Sequence, residues 1–143
     1  MAGIKINVRI DDAEVKALLT RLKERVEDLT PVMQTIGQIV RTSVGKNFEQ
    51  GGRPSKWGTS QRAKRSGGLT LVDTARLKNS INAKATSKQV SIGTNVVYGA
   101  IHQLGGKAGR GKKVTIPARP FLAVQAEDWT EINKVIGDHL LKA

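Results

Sequence analysis

His102 and His139 are the two imidazoles of a 143-residue chain without cysteine. Nucleophilic catalysis would need one of them beside an activated hydroxyl, and His102 can be paired on paper with Ser80 and Asp73. No G-x-S-x-G elbow surrounds Ser80, and three such common residue types can be picked from any chain. A hydrogen-bonded structural role is the expectation for His102. His139 falls in the last turn of a C-terminal helix, where a cation meets the helix dipole favourably. Without cysteine there is no disulfide, thiolate nucleophile or cysteine zinc site. Oxygen-ligated metals need converging carboxylates, and residues 41–119 hold only Glu49 and Asp73. The expectation is a protein with no catalytic residues, no metal and no cofactor.

Gly106-Lys107-Ala108-Gly109-Arg110-Gly111-Lys112 matches the spacing of a phosphate-cradling loop. Lys113 stands where a magnesium-binding Ser or Thr is required. A helix should follow, yet Val114-Thr115-Ile116-Pro117 reads as a strand. Nucleotide binding is not expected. The RNA-binding sheet's aromatic platform is missing too, with five aromatics in all. No helix combines a basic face with base-reading side chains, so any DNA contact would be to phosphate, from loops.

Charge is the stronger signal. The chain carries a formal net charge of +12, from 24 basic and 12 acidic residues. Residues 1–40 are neutral and residues 120–143 are net −2, whereas residues 41–119 hold sixteen basic groups against two acids. A segment so charged repels itself unless a polyanion or an acidic protein surface gains from it. No apolar run is long enough to span a bilayer, and the first residues lack a signal-peptide pattern. A soluble protein, made in the cytoplasm and kept or assembled there, is expected.

The elements that must carry these residues follow from periodicity. Ile4, Ile6, Val8 and Ile10 alternate as in a half-buried strand. Asp11 with Glu14 has capping-box spacing, and Val15, Leu18, Leu19, Leu22, Val26 and Leu29 stripe a helix with one buried face. Thr30-Pro31 reads as an N-cap and a restart. Met33, Ile36, Val40, Val44 and Phe48 carry a second helix to about Glu49. Residues 50–70 read as a long basic glycine-rich loop. A short helix capped by Asp73 or Thr74 precedes a hairpin of Ile81–Ala85 and Val90–Ile92 around a Thr86–Gln89 turn. A helical turn or two spans Val97–Leu104, with Tyr98, Ile101 and His102 on one face. Gly105–Lys113 reads as a second basic loop, Val114–Ile116 as a strand ended by Pro117. Asp128 with Glu131 repeats the capping-box spacing before a stripe of Trp129, Ile132, Val135, Ile136 and Leu140. The fold class expected is α+β: a small antiparallel sheet packed against N-terminal helices and a C-terminal helix, with two long basic Gly-rich loops, in one domain over 1–143.

Three blocks add a resemblance. Leu71-Val72-Asp73-Thr74-Ala75-Arg76-Leu77-Lys78-Asn79-Ser80-Ile81 comes first, then Ile92-Gly93-Thr94-Asn95-Val96-Val97-Tyr98-Gly99-Ala100-Ile101-His102-Gln103-Leu104-Gly105-Gly106, then Ile116-Pro117-Ala118-Arg119-Pro120-Phe121-Leu122. In this order the stretch from Trp57 to Leu122 resembles the phage virion morphogenesis family, tail-completion proteins of Mu-like and P2-like phages. Ala75 departs from the family's usual Gly, Gly99 from Ala, Leu104 from Phe and Ala123 from Gly. The first forty residues match only in being helical.

The resemblance implies a structural virion protein that completes the tail at its head-proximal end and helps join tail to head. A homo-oligomeric ring, contacting the tail tube or tail terminator and the head connector or neck proteins, would be its form. Its place would be the virion, after assembly in the host cytoplasm. Leu77, Ile81, Phe121 and Leu122 read as core. Arg62, Lys64, Arg65, Gln103, Lys107, Arg110, Lys112, Lys113 and Arg119 are the candidates for an assembly interface or for DNA phosphate in a lumen. No membrane is involved. The alternative is a small basic nucleic-acid-binding protein without sequence preference, acting alone.

Overall fold

The helix Thr30–Glu49 organises the chain because its apolar residues recur every three or four positions over five turns. In the computed structural model, which describes residues 12–141, the order is α1 (Asp12–Glu27), α2 (Thr30–Glu49), α3 (Gln61–Ser66), α4 (Arg76–Asn79), β1 (Asn82–Ala85), β2 (Val90–Gly93), α5 (Gly99–Leu104), β3 (Gly106–Ala108), a 3₁₀ turn at Arg110–Lys112, β4 (Val114–Ile116) and α6 (Ala126–Leu141). The strand expected over Ile4–Ile10 and the Asp11 cap lie outside the described residues.

This is mixed helix and strand, with small antiparallel sheets and helices at both ends. The hairpin β1–β2 pairs Asn82 with Gly93 and Ala85 with Val90. Its turn is closed by Thr86, whose N–H donates to Gln89 O and whose hydroxyl accepts from Gln89 N. A second two-stranded sheet pairs β3 with β4, Gly106 opposite Ile116 and Ala108 opposite Val114. The glycine-basic stretches thus contain elements of their own. Ser60 Oγ accepts from Ala63 N and Gly67 takes a left-handed conformation, which starts and stops α3 within three residues of each end.

One face of α2 buries Val32, Ile36, Val40, Val44 and Phe48 against Leu77, Ile81, Val96, Phe121 and Ile132. Phe48 lies 5.3 Å from Phe121 and meets Trp57 edge-on at 5.9 Å. Burying each phenylalanine ring contributes roughly 1.5–3 kcal/mol. Gly37 lets the hairpin approach, since a Cβ there would stand 3.0 Å from Ala83 Cβ and 3.1 Å from Val90 Cγ2. Leu77, Ile81 and Phe121 are buried as expected, and Leu122 is partly so.

Several local expectations change. Thr30 is the first helical residue and not the cap. Asp28 carries the cap chemistry instead, accepting from Thr30 N at 3.0 Å and Thr30 Oγ1 at 2.5 Å. These bonds to the ionised form hold the Asp28 carboxyl below its usual 3.8. The short helix α4 begins after Ala75, which sits at φ 61, so neither Asp73 nor Thr74 caps it. Asp128 lies in the first turn of α6 and reaches back to accept from Gln125 N at 2.8 Å. It therefore closes the capping interaction that it was expected to open.

The largest difference is α1. Val15, Leu18, Leu19 and Val26 are 46%, 48%, 58% and 46% exposed, so most of the stripe expected to be buried is half open, while Leu22 is partly buried and Leu29 packs on the core. Among the described elements α1 packs mainly on α6, and their C-terminal ends meet. There Arg25 donates to the carbonyls of His139 and Leu140, and the His139 ring contacts Arg25 O at 3.1 Å. The cation at the carbonyl end of α6 is supplied by Arg25.

Candidate assembly surface and arginine recess

Residues 50–58 leave α2 through a buried polar cluster that fixes where the basic segment begins. Arg53 donates from Nη2 to Ser43 O at 2.7 Å and Ser43 Oγ at 2.6 Å, from Nε to Asn47 Oδ1 at 2.8 Å, and from Nη1 to Glu127 Oε1 at 2.9 Å. Asn47 Nδ2 donates to Phe121 O and Ala123 O, and Ser43 Oγ donates to Asp128 Oδ2. Each of the buried groups, Ser43, Asn47 and Asp128, would cost about 1–3 kcal/mol if left unpaired. Arg53, one of the sixteen basic residues of the middle segment, is thus a structural clamp between α2 and α6.

The nine sequence-derived candidates divide by environment. Lys64 and Arg65 are exposed on α3, while Lys107, Arg110, Lys112 and Lys113 are exposed around the β3–β4 hairpin and its 3₁₀ turn. Four positive charges on one small sheet make a local field with no acid between residues 106 and 116. Gln103 and Arg119 have other surroundings. Gln103 Oε1 accepts from Phe121 N and Leu122 N, both at 3.0 Å, tying α5 to the chain after β4. Arg119 is 8% exposed, its backbone N donates to His102 O and its Nε donates to Gly58 O at 3.0 Å. Gly105 makes the sharp exit from α5: its φ is 75, and a Cβ would meet Ala118 N at 2.8 Å.

Arg62 and Arg119 come together with residues that sequence reasoning did not select for a site. They line a recess of about 280 Å³ with Arg76, Asp73, Tyr98 and His102. Arg76 stands over the Tyr98 ring at 5.9 Å, and Tyr98 meets the His102 ring edge-on at 6.0 Å. Arg62 donates to Leu69 O at 2.8 Å and lies 3.8 Å from Asp73 Oδ1. His102 Nδ1 is buried with no hydrogen-bond partner among the described residues, which corrects the expected hydrogen-bonded role. Burial, then the nearby charge of Arg119, hold the imidazole below its ordinary 6.5. Ser80 is not part of this group. Its hydroxyl pairs with Thr94 Oγ1 and Leu77 O, so the paper triad does not assemble.

The model of the phage virion morphogenesis family matches residues 10–141. The chain belongs to that family. Membership extends through α1 and α6, well beyond the three motif blocks, which cover the middle of the chain alone. A relative, the Mu-like prophage FluMu G protein 2 of Haemophilus influenzae, is 42% identical over 135 residues, 94% of this chain and 95% of the relative. No solved structure matches. This virion morphogenesis protein therefore has a structural or assembly role in a phage particle, beside other virion components. Among the described residues no helix is long and apolar enough to cross a membrane, and no group of three His, Asp or Glu could hold a metal ion.

Proposed function

We propose that the protein completes the phage tail at its head-proximal end and helps join tail to head, residues 1–143 acting as one unit within a homo-oligomeric ring. The supporting observation is an unmatched pair of apolar surfaces on the same chain. On α1, Val15, Leu18, Leu19 and Val26 are each about half exposed. An apolar groove of about 420 Å³ lies between α2, the β1–β2 hairpin and α6, edged by Val124 and by Trp129 at 56% exposure. An apolar helix on one subunit and an apolar groove on the next are what a head-to-tail contact needs, and such contacts close rings when the rotation allows. Assembly would take place in the host cytoplasm, on a tail tube or terminator, against a connector or neck protein.

The exposed charges around β3–β4 suit either DNA phosphate in the ring's lumen or an acidic neighbouring protein. They also favour the second reading, a small basic protein that binds nucleic acid alone. That reading calls for tight binding of free duplex with a steep salt slope. Imaging particles from a phage that lacks the protein separates the two. Finished tails and filled heads that stay apart are expected. Normally joined particles would reject the tail-completion reading.

A further inference from the structure

Arg119 is 8% exposed with no carboxylate beside it, and its terminal nitrogens still reach solvent. A guanidinium so placed is available to an anion. Its Nε is occupied by Gly58 O, and its terminal nitrogens have no hydrogen bond or ion pair with any described residue. They belong to a recess whose other cations are Arg62 and Arg76 and whose titratable groups are His102, Tyr98 and Asp73. Asp73 is the one acid there; it is exposed and lies beside Arg62, not Arg119. The recess thus holds three guanidinium groups against one carboxylate, with Leu71, Leu77 and Tyr98 as apolar wall.

We propose that this recess is a carboxylate-binding site that takes an acidic side chain of a partner polypeptide, with Arg119 as the buried anchor and Arg76 at the rim. Guanidinium forks match carboxylates in geometry and bind them by charge-assisted hydrogen bonds. At about 280 Å³ the space is just below that of pockets for drug-sized ligands, roughly 300–1,000 Å³, and suits one side chain. The apolar wall fits the methylene groups of a glutamate. A duplex presents its phosphates on a convex surface, a poor match for a concave recess. That the donor is a neighbouring virion protein rests on the proposed function above; the anion site itself does not.

The test is a titration of the full-length protein, followed by NMR, with acetyl-Gly-Glu-Gly-amide, its glutamine counterpart, inorganic phosphate and a short DNA duplex. Saturable shifts at Tyr98, His102 and Arg119 with the glutamyl peptide are expected, and none with the glutamine peptide. Loss of a charge-assisted bond should weaken binding about tenfold or more in Arg119→Gln. Arg76→Gln, at an exposed rim position, should weaken it without disturbing the fold, so the test survives if Arg119→Gln misfolds. No saturable shift, equal shifts from both peptides, or unchanged binding in Arg76→Gln would overturn the proposal. So would tighter binding of phosphate or duplex at the same residues, which would make the ligand a phosphate. None of these outcomes bears on where the protein sits in the particle, so the site and the tail-end role can fail separately.

Discussion

Ala75 and His102 show how single residues depart from ordinary preference in this protein. Ala75 holds φ 61, a left-handed conformation that a β-carbon disfavours. Ala75→Gly should raise stability by roughly 0.5–1 kcal/mol, the strain relieved exceeding the entropy added to the unfolded chain. An unchanged or lower denaturant midpoint would contradict this. His102 carries a pH effect with a definite sign. Its folded pKa lies below the ordinary 6.5, so above that pH both states are neutral and its contribution to stability is fully present. As pH falls from 6.5 toward the folded value, the unfolded chain takes the proton first and stability drops. Unfolding measured across pH 5 to 8, the range where histidine titrates, should show a shallower acid decline in His102→Gln than in the wild type. Parallel curves would remove His102 from the explanation.

At the scale of elements, α1 makes the sharpest prediction. Its apolar residues at three- and four-residue spacing are exposed, so Leu18→Glu with Leu19→Glu should leave the subunit's stability within about 0.5 kcal/mol. The same pair should abolish association if that stripe seats on a neighbour. Sedimentation of both proteins decides it: subunits of one size before and after the change would contradict the ring contact. Here the limits of sequence reading are physical. Periodicity reports that α1 has an apolar face but not what covers it. Elements whose signals are local, such as α2, the β1–β2 hairpin, the Tyr98–His102 turn and β4, were legible. Arg53 was not, because its partner Glu127 lies far away in the chain; it read as loop charge and clamps α2 to α6. Arg119 was a candidate, but its bond to the distant Gly58 O was not foreseeable. The recess was half legible: Arg62 and Arg119 were candidates, while Arg76 joins them only through the turn at Ala75.

For the whole molecule, the question is what its positive charge does. Arg53 and Arg119 are drawn inside, whereas Lys64, Arg65, Lys107, Arg110, Lys112 and Lys113 remain exposed. Repeated around a ring, the exposed set would add into one strongly positive rim or lumen. Neutralising Arg110, Lys112 and Lys113 together should leave the fold unchanged, since exposed charges contribute little to stability. Joining of tails to filled heads should fall and become less dependent on salt. Normal yields of infectious particles from the triple variant would reduce the charge to a solubility feature. The role itself is tested most directly by labelling the protein on isolated tails and locating the label by electron microscopy. Label at one tail end, the end that meets the head in intact particles, is the result predicted. Label along the tube or at the opposite end, or tails carrying none, would contradict it.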